Sequence, residues 1–97
     1  MDKWFHEDWR FRIEVVTVGK TNQAKECRIG LEPGDIFECS YETPAGFCPT
    51  SFMKIFPSME VVRSGGDLRN LGGEDASKIV FMCPDGVVTF KLTGDQI

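Results

Sequence analysis

Residues 52–62, FMKIFPSMEVV, decide the fold, because the apolar period changes there. Phe52, Ile55, Phe56, Met59 and Val62 recur at three- and four-residue intervals, which on a helix form one apolar stripe. The other strongly patterned stretches read as strands. FRIEVVTV (11–18) alternates and is rich in β-branched side chains, with Phe11, Ile13 and Val15 on one face. After a Pro33-Gly34 turn, residues 36–42 set Phe37, Cys39 and Tyr41 inward against Glu38, Ser40 and Glu42, the pattern of an antiparallel strand covered on one side. KIVFMC (78–83) is a continuous apolar run that reads as a central strand, PDG (84–86) as a tight turn, and VVTFKLT (87–93) as the hairpin partner. The order β-β-α-β-β makes an α+β fold: an antiparallel sheet with the helical segment packed on one face. Phe37, Phe52, Phe56, Phe81 and Phe90 are the expected core aromatics.

Pro57 falls inside the helical stripe. An interior proline removes a backbone donor and clashes one turn back, at a cost of about 3 kcal/mol. The expectation is therefore a proline-broken segment: a short helix over 49–56, then a turn restarted at Pro57 and ended by Gly65-Gly66. Residues 67–77, DLRNLGGEDAS, read as a polar loop. Residues 1–10 form an aromatic and acidic N-terminal extension, and 11–97 a single domain long enough for one modest core.

A net charge of −4 opposes nucleic-acid binding, which needs a basic face to displace counterions from phosphate. The eleven basic residues are scattered, so an anionic membrane surface is not an expected partner either. No apolar run approaches the roughly 18 residues of a spanning helix. The N-terminus, MDKWFHEDWR, is too polar and acidic for a signal peptide, which makes the cytoplasm the expected compartment. Thiols stay reduced there, so the four cysteines are expected as free thiols or metal ligands rather than disulfides.

None of Cys27, Cys39, Cys48 and Cys83 forms a CxxC pair, the spacing typical of zinc ribbons and iron–sulfur sites. Cys39 lies on the inward face of a strand and reads as a small hydrophobe. Cys27, Cys48 and Cys83 fall at element ends, where three ligands for zinc or an iron–sulfur cluster could converge; the favoured expectation is no cofactor. Cys48 precedes Pro49, a residue suited to the first helical position, and so becomes a helix N-cap whose neighbouring amides favour a thiolate. The competing and favoured reading buries it under Phe47 and Phe52. His6 is the only histidine and reads as a tail residue, which weakens hydrolase readings built on a nucleophile–histidine pair. The glycines of GGDLRNLGG lack both the GxGxxG order and a Lys-Ser/Thr ending, and read as a cap and a turn. The aromatic WFHEDWRF reads most simply as packing against its own sheet, with a clamp on a partner as the alternative.

PAGFCP (44–49), Phe56-Pro57, GGD (65–67) and CPD (83–85), in that order, resemble a family of small bacterial and archaeal proteins, frequent in anaerobes, with no assigned function. The resemblance runs from about residue 11 to the C-terminus and takes in Cys27 and Gly34. Its pattern includes cysteines matching Cys27, Cys48 and Cys83 but not Cys39, and the chain departs from it at Thr50-Ser51, where an aromatic residue is frequent after the CP. It implies a fold and a candidate cysteine cluster, and no activity. Two functions are expected in order: a non-catalytic binding or accessory protein, with a protein partner or a second copy as a homo-oligomer; or a thiol-based redox or metal site using Cys27, Cys48 and Cys83, with Cys48 as the reactive thiol.

Overall fold

The computed structural model describes residues 7–97; Trp4, Phe5 and His6, with the expectations placed on them, lie outside these. Four strands form one antiparallel sheet: β1 (Trp9–Val18), β2 (Ile36–Cys39), β3 (Lys78–Met82) and β4 (Val88–Gln96), in the order β2-β1-β4-β3. One helix, α1 (Pro49–Arg63), lies between β2 and β3 in sequence. The fold is α+β, as the patterning predicts.

The centre of the sheet is a pairing between distant strands, Ile13 opposite Leu92 and Val15 opposite Phe90. Phe11, Ile13, Val15 and Val18 from β1, and Val88, Phe90 and Leu92 from β4, form one buried face, and the Ile55, Met59 and Val62 stripe of α1 completes the core. The inward phase moves from Val15 to Val18 because of a bulge at Val16, whose side chain is exposed. A bulged residue opposes no partner, so every later side chain changes face. All five expected core phenylalanines pack into or against this cluster; Phe90 is fully buried and the other four half-buried.

The sequence expectations need correction at four places. KIVFMC is an edge strand, not a central one: Ile79 is buried, but Val80 and Met82 face out from an apolar run that local pattern cannot tell from a doubly covered strand. The second strand ends at Cys39, and Tyr41 is exposed. The 67–77 segment is not merely a polar loop, since a 3-10 turn at Leu68–Leu71 buries Leu68 completely. Finally, α1 continues through Pro57. Pro57 and Met53, one turn before it, are both exposed, so the donor lost at Pro57 falls on the solvent-facing side of the helix, where water can take its place. The helix stops at Gly65, whose φ of 83° is the left-handed cap conformation. The Gly66 N–H donates to the Val61 carbonyl at 2.8 Å and the Gly65 N–H to the Val62 carbonyl at 3.1 Å, the paired bonds of a Schellman cap.

No helix among the described residues is long and apolar enough to cross a membrane.

Candidate functional site

Phe47 places the site. It is buried, with its ring centroid 5.0 Å from Phe37, 5.3 Å from Phe90 and 6.3 Å from Phe52. Aromatic pairs at such separations add attraction to the area they bury, so the residue before α1 is pinned to the sheet. Pro49 then takes the first helical position and Cys48 the N-cap.

The other cysteines arrive on loops. The Gly19 N–H donates to the Val87 carbonyl at 2.7 Å, tying the β1–β2 loop to the β3–β4 turn, and buried Leu31 anchors the same loop on the core. Within it a 3-10 turn, Ala24–Glu26, ends at half-buried Cys27. Cys83 closes β3: its N–H donates to the Val88 carbonyl at 2.9 Å, and its sulfur accepts from the Val87 and Val88 N–H groups, each at 3.3 Å.

Cys27, Cys48 and Cys83 consequently line one cavity of about 420 Å³. Thr50 and Ser51 from the first turn of α1 also line it, with Lys25, Glu26, Arg28 and Asp85 supplying charge of both signs. Cys39 is elsewhere, fully buried in β2. Desolvation pushes its thiol pKa up and the Glu42 carboxylate adds to this, with Arg63 and Arg10 opposing. Its assignment to the core holds. The metal expectation fares differently. Among the described residues no group of three or more His, Cys, Asp or Glu side chains is placed to hold a metal ion. The three thiols share a cavity wall without forming such a group.

Cys48 is half-buried, not sealed beneath Phe47 and Phe52. Burial pushes its thiol pKa up, but the hydroxyls of Ser51 and Thr50 and the amides of the same residues outweigh it, and the net displacement is downward. Thr50 Oγ1 lies 3.2 Å from Sγ. No first-turn amide makes a cap hydrogen bond to the sulfur, so only the Thr50 hydroxyl contacts it at hydrogen-bond length and the other donors act by proximity.

Two residues of the site escape the sequence reading. Ser51 is fully buried and its Oγ has no hydrogen-bond partner; the C-x-x-S spacing from N-cap to third helical position is the signal that could locate it. Glu26 is the other. Its carboxylate accepts from the Thr21 hydroxyl at 2.6 Å and from the amides of Thr21 at 3.1 Å and Lys20 at 3.3 Å, closing the turn that leads to Cys27. The Thr21 hydroxyl foremost, then these amides, hold its pKa at about 2 against an ordinary 4.5. A carboxyl depressed in the folded state stabilises the fold above pH 4.5 and loses that contribution as the pH falls toward 2. Glu26→Gln is expected to flatten the acid limb of the stability profile across that window, which urea midpoints at a series of pH values check.

Comparison with family models, with curated proteins and with solved structures finds no match to this chain.

Proposed function

We propose that the chain is a thiol-based redox protein in which Cys48 exchanges with small-molecule disulfides inside the cavity. The observation that carries this reading is the placement of Cys48: at the N-cap of α1, half-exposed, beside two hydroxyls, on the wall of a cavity of small-molecule size. In the exchange, the Cys48 thiolate attacks one sulfur of a disulfide RS–SR. The new bond joins Cys48 Sγ to one R–S, the old S–S bond breaks, and its electron pair leaves on RS⁻. A second thiol then attacks the R–S sulfur, releasing Cys48 as thiolate. The R–S group leaves as the mixed disulfide with that second thiol, and one thiolate is released for each thiol consumed, so no other oxidant is required. The resemblance to the family with PxGFCP, GGD and CPD motifs belongs to the same proposal. Its patterned cysteines are the three on the cavity wall, and Cys39, outside the pattern, is core.

Alkylation of the folded protein as a function of pH tests the reading. Cys48 is expected to be the fastest thiol, with a midpoint below the ~8.5 of a free cysteine, and Cys48→Ser to remove that phase. A fastest thiol at another position, or a Cys48 midpoint above the free value, would overturn it.

The second reading, a binding or accessory protein, is favoured by a different feature. Tyr41, Phe52, Met53, Phe56 and Pro57 line an open apolar groove of about 460 Å³, with Tyr41 57% and Met53 75% exposed. Contiguous exposed apolar surface of this kind marks interaction sites. Function retained in Cys48→Ser would favour it.

A further inference from the structure

We propose that the first turn of α1 is a carboxylate-binding subsite of the Cys48 cavity, so that the disulfide exchanged there carries a carboxylate close to its sulfur. This rests on the thiol reading above and names its substrate class.

The first observation is the hydroxyl of Ser51. It is fully buried, lines the cavity and has no hydrogen-bond partner. A buried serine in a helix ordinarily donates to the carbonyl four residues back. That residue is Phe47, which precedes the helix, and no such bond forms. Leaving a buried hydroxyl unmade costs about 1–3 kcal/mol, which an acceptor entering the cavity beside Cys48 would recover.

The second observation is the state of the neighbouring backbone. The first amides of a helix have no intrahelical acceptor. Here Pro49 carries no N–H, and the Phe52 N–H already donates to the Cys48 carbonyl at 3.0 Å. The amides of Thr50 and Ser51 remain, and no acidic side chain in the first turn occupies them. These donors, with Ser51 Oγ, stand at the positive end of a 15-residue helix. The subsite offers only donors of neutral groups, so its occupant supplies the acceptors.

The charges around the cavity select among acceptors. Lys25 and Arg28 line it, and so do Glu26 and Asp85, so the formal charges on the wall cancel. A phosphate dianion would meet two carboxylates. A carboxylate brings one charge and two oxygens, matched by a hydroxyl and two amides, and sits beside Cys48 only when the acid group and the sulfur belong to the same small molecule.

The test follows mixed-disulfide formation on Cys48 by mass spectrometry with two probes of similar size, the disulfide of mercaptopropionate and the neutral disulfide of mercaptoethanol. Each rate is divided by the rate of the urea-unfolded chain with the same probe, which removes intrinsic reactivity. The folded protein is expected to prefer the carboxylate probe by at least about fivefold, the scale of one hydrogen bond to a charged acceptor. Ser51→Ala is expected to bring the ratio to about one, whatever it does to the absolute rates. A ratio near one in the wild type, with Cys48 still reacting, overturns the subsite and leaves the thiol reading standing. If Cys48 reacts with neither probe, the thiol reading falls. The subsite is then decided by titrating propionate into Cys48→Ala: saturable shifts of the Thr50 and Ser51 amide resonances, lost on adding Ser51→Ala, support it, and their absence overturns it.

Discussion

Phe11→Ala is expected to destabilise the fold by about 3–5 kcal/mol, because it removes a fully buried ring from the central strand pair. Phe11 faces Gly94 across the sheet, and a side chain begun at Gly94 would lie 3.1 Å from the Phe11 ring. The ring therefore fills the space that a residue at 94 would otherwise occupy, and its loss opens a cavity down to the β4 backbone. It also removes a platform for the Arg63 guanidinium, 4.9 Å from the ring centroid. Against a total stability of about 5–15 kcal/mol for a domain, this is a large fraction, and a fall in Tm of about 15–30 °C is expected. Phe11→Leu, which keeps most of the volume, is expected to cost about 1–1.5 kcal/mol. Urea denaturation at constant m-value measures both. An alanine variant losing less than the leucine figure would show that the β1–β4 face is not the core.

Periodicity made the elements legible, since Phe11, Ile13 and Val15 alternate and Phe52 to Val62 repeat at helical spacing; it did so without showing how the strands pair. Local signals identify the β3–β4 hairpin through its PDG turn, but the β1–β4 pairing joins Ile13 to Leu92 and leaves no trace in either segment alone. The edge position of KIVFMC is invisible for the same reason. So is the bulge at Val16, which the sequence does not mark with a glycine. Pro57 misleads because its cost depends on where the orphaned carbonyl points, a property of the packed helix. In the site, sorting the cysteines by their place on strands or loops separates Cys39 from the other three, and the β1–β2 loop brings those three to one cavity through Leu31 and the Gly19–Val87 bond. How the three thiols sit within that cavity is set by loop geometry a few ångströms at a time, which spacing along the chain does not encode. Ser51 and Arg63 are hidden by residue type: serine and arginine are mostly surface residues, and only the fold shows each buried.

Arg63→Ala is expected to cost about 2–4 kcal/mol, although arginine substitutions on a helix end usually change little. Arg63 ends α1 with its side chain only 9% exposed. Its guanidinium lies 4.9, 4.8 and 5.7 Å from the rings of Phe11, Tyr41 and Phe56, each a cation–π contact of about 0.5–2 kcal/mol depending on desolvation. It also donates to the Ser40 carbonyl and to the Glu60 carboxylate, and its Nε stands 3.6 Å from Glu7, itself largely buried. Removing the cation leaves the Glu7 carboxylate without its counter-charge and the Ser40 carbonyl without its donor. Those are the penalties that make one-sided deletion of a buried pair expensive. Arg63→Lys keeps the charge but not the planar fork that serves several acceptors and stacks on rings, so about half the loss is expected to remain. Because Arg63 and Phe11 touch, their alanine variants are expected to be non-additive by about 1 kcal/mol, with the double variant losing less than the sum. Strict additivity, or an Arg63→Ala cost within about 0.5 kcal/mol of zero, would show that the guanidinium is a solvated surface charge. The measured coupling would otherwise place it among the aromatic rings, fastening the chain after β2 to the end of α1. That segment runs on to Phe47 and so to the N-cap that presents Cys48.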